Sequence, residues 1–382
     1  MTKKTNILVV YTAMIPTAQL IMNMMHEVVR ITGNGLRGMN SIKIKSKDII
    51  WADVILFVRG ADRYMEQIAE VAYTSGRYCL MFLDDDLLNV PSDGVEMYKN
   101  ALKGCLHWCH LLWSPNPNIL KKYSQYMQDP ACVEEKAFEP INMMLPVNEE
   151  TERIHIVYAG SVSHAPNLQE YIVPALNYVC QKSQNVDVTF IGLHKGDLKD
   201  VCFNATYIPW FYNLKEYKKF ITENRYHIGL AIVKDEEFYR CKYYNKFLEY
   251  SKMGVLGIYS DCEPYQFIVR DHENGLMSKN SISEWSKNIE EAINNDTLRK
   301  ECIINAQNLL KEEFDIEKVL NQLIEKIPEL QCYNKIKSYQ VKYKGANIYI
   351  LFFNFIGGSK FGYWLWRNAM KIWHAIKRYF QK

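Results

Sequence analysis

The sequence predicts an α/β protein of two tandem Rossmann-like domains, each a doubly wound parallel sheet, with a cleft between them. Three observations carry this. Short β-branched runs alternate with stretches of helical period through the first third of the chain. The alternation stops at Glu139–Glu150, where Pro140 and Pro146 flank a segment without clear period. It then restarts and runs to about residue 325. Continuous apolar strands joined by helices imply right-handed βαβ units, hence parallel sheets covered on both faces.

Taken in order, strands are expected at 6–11, 54–59, 78–83 and 110–113, and helices at 17–29, 61–74, 95–106 and 117–127. In the second half, strands are expected at 154–159, 186–191, 205–208, 227–233, 255–259 and 275–277. Helices are expected at 167–180, 214–222, 243–252, 264–269, 282–294, 297–312 and 316–325. The reading divides the chain into an N-terminal domain over 1–139, a linker over 140–153, a second domain over 154–330 and a tail over 331–382. In such folds ligands lie beyond the carboxyl ends of the strands, so the inter-domain cleft is the expected site.

Composition bounds the class. The chain has 382 residues, 48% of them hydrophobic and 23% charged, a globular profile that excludes disordered, collagenous and disulfide-scaffold proteins. The formal charge of +3 hides a division. From Tyr333 to Lys382 there are eight Lys, two Arg and no Asp or Glu, so this stretch carries +10 and the preceding 332 residues −7. It also holds 14 of the 50 aromatic residues. Ten cysteines without a C-x-x-C spacing read as free thiols of a reducing compartment. The longest apolar run, near 346–357, is shorter than the ~18 residues of a spanning helix.

Four constellations have the residue types that chemistry needs. Gly33–Gly38 matches G-x-G-x-x-G, but a helix precedes it and a strand at 41–44 is expected after it. That is the reverse of a dinucleotide site, so a helix C-cap and turn is the better reading. Cys105-Leu-His-Trp-Cys-His110 lacks a second pair at zinc spacing and reads as buried thiols. Asp84-Asp-Asp86 closes an apolar strand and admits three roles: a metal–diphosphate D-x-D, a carboxylate pair facing an acceptor hydroxyl, or a cap. The fourth is the stretch from Tyr239 to Asp261. Arg240, Lys242 and Lys246 gather at the start of a helix whose dipole favours anions, and Glu249 follows Lys246 by one turn. Cations for a pyrophosphate beside a carboxylate for ribose hydroxyls are what a nucleotide-diphosphate sugar requires; a solvated i,i+3 pair is the structural alternative.

Lys246-Phe-Leu-Glu-Tyr-Ser-Lys-Met-Gly254, the strand leading to Ser260-Asp261, Tyr265 and Asn274-Gly-Leu276 resemble the C-terminal half of group 1, family 4-like glycosyltransferases of the GT-B fold. The resemblance spans about 154–325; the N-terminal half is similar in layout and in Asp84–Asp86. It implies sugar transfer from a nucleotide-sugar (UDP-, GDP- or dTDP-linked), usually with retention and with no required metal or cofactor. It also implies that Glu249 holds the ribose, that Lys246 lies near the diphosphate, and that the Asp261–Tyr265 loop approaches the sugar. Gly160 and Ser161, after the first strand of the second domain, are expected to meet phosphate through backbone N–H groups. Asp84, Asp86 and Lys246 are the candidate catalytic residues, and Gly160, Ser161, Arg240, Lys242, Lys246, Glu249, Asp261 and Tyr265 the candidate donor-binding residues. Where the family's first E-x7-E glutamate would stand, this chain has Cys241.

In 359–382 an apolar face (Phe361, Leu365, Ala369, Ile372, Trp373, Ile376, Phe380) lies opposite a basic one (Arg367, Lys371, His374, Lys377, Arg378, Lys382). That pattern describes an interfacial helix on anionic lipid; a helix packed back across the first domain is the alternative. The expected partners are a nucleotide-sugar, a glycan or lipid-linked acceptor and an anionic membrane surface, with no nucleic acid. The expected location is cytoplasmic and peripheral, on the inner face of the membrane. An epimerase of the same fold and a non-catalytic binding module are the competing readings.

Overall fold

The computed structural model describes residues 4–90, 96–148, 152–183, 185–211, 213–334 and 341–345. The first sheet contains β1 (Asn6–Tyr11), β2 (Gly35–Asn40), β3 (Val54–Val58), β4 (Tyr78–Phe82), β5 (Leu111–Ser114) and β6 (Cys132–Glu134), in the spatial order β2-β1-β3-β4-β5-β6. Its helices are α1 (Pro16–Thr32), α2 (Ser46–Trp51), α3 (Arg63–Thr74), α4 (Glu96–His107) and α5 (Pro117–Tyr123). The second sheet contains β7 (Ile154–Ala159), β8 (Val186–Ile191), β9 (Ala205–Ile208), β10 (Ile228–Ala231), β11 (Leu256–Ser260) and β12 (Leu276–Ser278), in the order β12-β11-β10-β7-β8-β9. Every strand pairing in both sheets is parallel. The helices of this half are α6 (Ala165–Asn167), α7 (Val173–Lys182), α8 (Leu214–Glu223), α9 (Glu237–Arg240), α10 (Asn245–Lys252), α11 (Ile282–Asn294), α12 (Asp296–Glu313) and α13 (Ile316–Lys326).

Each sheet is buried on both faces, which is why its central strands read as unbroken apolar runs: Ile7–Val10 and Val54–Phe57 are fully enclosed. Strand order reverses between β1 and β3 in the first sheet and between β7 and β10 in the second. A crevice opens at such points beyond the strand ends, and here the two crevices lie on the walls of one cleft.

Three expectations are corrected. The strand near Gly33–Gly38 is not at 41–44: β2 runs through the glycine motif itself, and Ser41–Lys43 is a 3-10 turn. Gly33 does cap α1 in the left-handed region (φ 71), donating to Val29 O at 2.8 Å. Gly35 is required by proximity, since a Cβ there would lie 2.5 Å from Asn6 Oδ1. Cys105 and Cys109 are buried in the first domain's core, as read, and His110 Nδ1 accepts the Cys79 N–H at 3.0 Å.

The second correction concerns 264–269, which forms only the 3-10 turn Tyr265–Phe267. The third concerns the helix at 316–325, expected to pack within the second domain. α13 leaves the second domain and inserts Leu320, Leu323 and Ile324 into a face of the first sheet, followed by Ile327 and Leu330 just beyond it. The chain stays there: the Tyr333 N–H donates to Thr5 Oγ1 at 2.9 Å, and the Tyr343 N–H to Ser46 Oγ at 3.0 Å. The described part of 331–382 is therefore packed on the first domain. The amphipathic stretch 359–382 lies outside the described residues.

Candidate functional site

On the first domain's wall, the loops after β3 and β4 and the first turn of α1 converge at the switch point. Asp84, just past β4, accepts Arg59 Nε at 2.7 Å and Arg59 Nη2 at 3.0 Å, and the Thr17 hydroxyl at 2.7 Å. Arg59 reaches it from a left-handed residue (φ 65) at the end of β3, and Thr17 from the first turn of α1. A bidentate guanidinium pair is a strong, directional contact, and it fixes Asp84 at the cleft. Asp86 is different. Fully buried, it accepts Lys122 Nζ at 2.8 Å, the Tyr123 hydroxyl at 2.7 Å and Asn89 Nδ2 at 2.9 Å. The expected Asp84–Asp86 pair is thus corrected: the two carboxylates turn to different cations, and Asp86 braces α5 rather than facing the cleft. Asp85 points across the cleft to Lys242, 3.5 Å away.

On the second domain's wall, α10 presents Lys246 and Glu249 one turn apart. Lys246 Nζ donates to Glu249 Oε2 at 2.7 Å, and the Tyr217 hydroxyl of α8 donates to Glu249 Oε1. Both side chains are about a quarter exposed (24%), which is more enclosed than a solvated surface pair. Each carboxylate oxygen keeps a lone pair, and the ammonium keeps a free N–H. Phe247 and Tyr250 bury α10 in the core of the second domain, while Asn245, Leu248, Glu249 and Lys252 line the cleft.

Past β7, Ser161 and His164 follow the strand's carboxyl end, at the switch point between β7 and β10. The Gly160 N–H is spent on Ile191 O at 3.0 Å, so its expected role as a phosphate donor is corrected. His164 was missed in the sequence. Its ring lies 5.8 Å from that of Tyr239, and its Nδ1 is enclosed without a partner. Burial, then the charges of Lys242 and Lys246, push its imidazole down to about 4. Both lysines thus bear on one small polar recess. Arg240 is half exposed and pairs with Asp235 at 2.7 Å. Asp261 is exposed and holds Gln266 at 3.0 Å. Tyr265 is a further correction: it is buried, its ring 4.9 Å from Tyr259, and it belongs to the aromatic core.

A cavity of about 470 Å³ joins the two walls, reaching from Thr17 and Asp84 to Tyr217 and Glu249. The connecting segment with Phe138 and Ile141 closes one side. Lys252 also lines it; burial lowers its ammonium, which has no hydrogen-bond or ion-pair partner among the described residues. Tyr217, Arg59, Thr17 and Lys252 carry no local signal in the sequence, because each enters the cleft from a different element.

Two facing Rossmann-like sheets with these crevices across one cleft define the GT-B fold. No family model matches the chain, and no curated protein matches it. Among solved structures it is similar to HepE of Anabaena in complex with UDP and glucose, with TM-score 0.62 and 11% identity over 85% of this chain and 99% of that one. It is similar to sucrose-phosphate synthase from Thermosynechococcus elongatus, with TM-score 0.62 and 10% identity over 86% and 99%. It is also similar to the lipopolysaccharide outer core galactosyltransferase WaaB in its apo form, with TM-score 0.59 and 11% identity over 85% and 99%. At these identities the likeness is one of fold.

Proposed function

We propose that this protein is a glycosyltransferase that moves a sugar from a nucleotide-sugar to a glycan or lipid-linked acceptor, with retention and without an essential metal. The observation that carries the reading is the Tyr217–Glu249–Lys246 group on the cleft wall. Glu249 accepts the ribose hydroxyls, while Lys246 and Lys242 flank the diphosphate. The leaving group is a nucleoside diphosphate, so offsetting its developing charge is the main catalytic demand, and ammonium groups meet it without a cation. HepE was solved with UDP and with UDP-glucose, and WaaB is a galactosyltransferase; both share this fold. Of the two acceptor classes, the cavity favours the lipid-linked one. Beside its charged and polar groups, among them Asp84, Glu139, Lys218, Asn245, Glu249 and Lys252, much of its lining is apolar, including Leu20, Phe82, Phe138 and Ile221. Residues 346–382 are proposed to hold the enzyme on the inner face of an anionic membrane.

The test is a melting-temperature screen with UDP, GDP and dTDP, because a ligand of the folded state must raise its stability. One of them is expected to raise the midpoint, and Glu249→Ala to weaken its affinity at least tenfold, or about 1.4 kcal/mol. EDTA is expected to leave donor turnover unchanged. No shift with any of the three, or an undiminished shift in Glu249→Ala, defeats the proposal. Interconversion of the donor sugar without transfer would make the protein an epimerase.

A further inference from the structure

The segment Arg240–Lys242 belongs to the second domain, running from the last residue of α9 toward α10, yet the first domain grips every residue of it. Asn116, at the end of β5 and 1% exposed, sends Nδ2 to Arg240 O at 2.8 Å and to Lys242 O at 2.6 Å. Asn118 Nδ2 donates to Arg240 O at 3.1 Å and to Glu263 Oε2 at 2.6 Å. Between the two held carbonyls, Cys241 is buried in the core cluster of the first domain. The Lys242 ammonium meets Asp85, and nearby Lys122 reaches Glu237 at 2.6 Å. Two backbone carbonyls, one side chain and one ammonium are thus addressed from across the cleft.

We infer that Asn116 is a positioning residue for the donor: it sets the Arg240–Lys242 segment and with it the Lys242 ammonium, held at the cleft by Asp85. Donor affinity is then a property of the joined domains rather than of the second domain alone. This rests on the reading that these cations meet the diphosphate. A carboxamide suits the task because it does two things at once. Its Oδ1 accepts the Asn118 N–H at 2.8 Å and caps α5, while its NH₂ supplies both donors to the facing carbonyls.

That division gives a clean variant. Asn116→Asp keeps the capping oxygen but replaces two donors by a carboxylate facing two carbonyl oxygens. Two readouts are taken on the full chain: UDP affinity by calorimetry, and amide exchange of 239–243 against 117–123 by mass spectrometry. The expected result is at least tenfold weaker UDP binding and faster exchange at 239–243, with exchange in α5 unchanged. If Asn116→Asp fails to fold, Asn118→Asp serves, since Asn118 lies nearer the surface and would set a carboxylate against Glu263. UDP binding retained in the variants overturns the inference and leaves the glycosyltransferase reading standing. Unchanged exchange at 239–243 overturns it equally. Wild-type protein that binds no nucleoside diphosphate removes the reading of the cleft and the inference together.

Discussion

His164 couples the site to pH. In the unfolded chain an imidazole titrates near 6.5, whereas in the folded protein burial and two lysines hold it down to about 4. Between these values the unfolded chain takes up a proton that the folded one refuses. Stability contributed by this residue is therefore complete above pH 6.5 and drains as pH falls toward 4. His164→Asn should flatten the acid side of a melting-temperature profile between pH 7.5 and 4.5; identical profiles would remove His164 from this role. Residue roles were legible where one helix carried both partners, as in Lys246 and Glu249. They were illegible where burial decided: Asp86 and Tyr265 have the right chemistry in the sequence, but both are enclosed. Gly160 failed for a related reason, since a strand-end N–H is already claimed by the neighbouring strand.

Elements with a buried, periodic face were readable from the chain; in the first sheet the edges were not. β1, β7, β8, β9 and α11 fall where the pattern places them. β2 and β6 do not announce themselves. β2 is a half-buried edge strand interrupted by Gly35 and Gly38, and β6 has three residues. α13 shows how far an amphipathic pattern reaches. Its apolar spacing at Val319, Leu320, Leu323 and Ile324 predicts a helix but not the sheet that receives it. Because Leu323 is fully buried against the first sheet, Leu323→Ala should cost about 3 kcal/mol in urea denaturation. Amide exchange in that variant should rise in β1 and α1 rather than in β8; the opposite distribution would contradict the docking.

At the scale of the molecule, the charge division of −7 and +10 survives, but its boundary moves. Tyr333 and Tyr343 are tied to the first domain, so the described basic chain up to Gly345 serves packing as well as charge. Two truncations separate these effects. Ending the chain at Gly345 should abolish sedimentation with phosphatidylglycerol vesicles and leave the melting temperature unchanged. Ending it at Glu329 should lower the melting temperature as well, through loss of Leu330 and the two tyrosine contacts. Full vesicle binding by the Gly345 truncation would sink the membrane proposal. The return of α13 has a mechanical consequence too. The second domain is an insert, joined to the first by two crossings that lie side by side: Phe138 and Phe314 meet at 5.2 Å, and Lys136 and Glu313 at 2.8 Å. A single tether lets a body swivel, whereas two adjacent tethers leave one axis free. Any parting of the sheets is therefore confined to that axis, and reclosing along it would return Asn116 to the same two carbonyls.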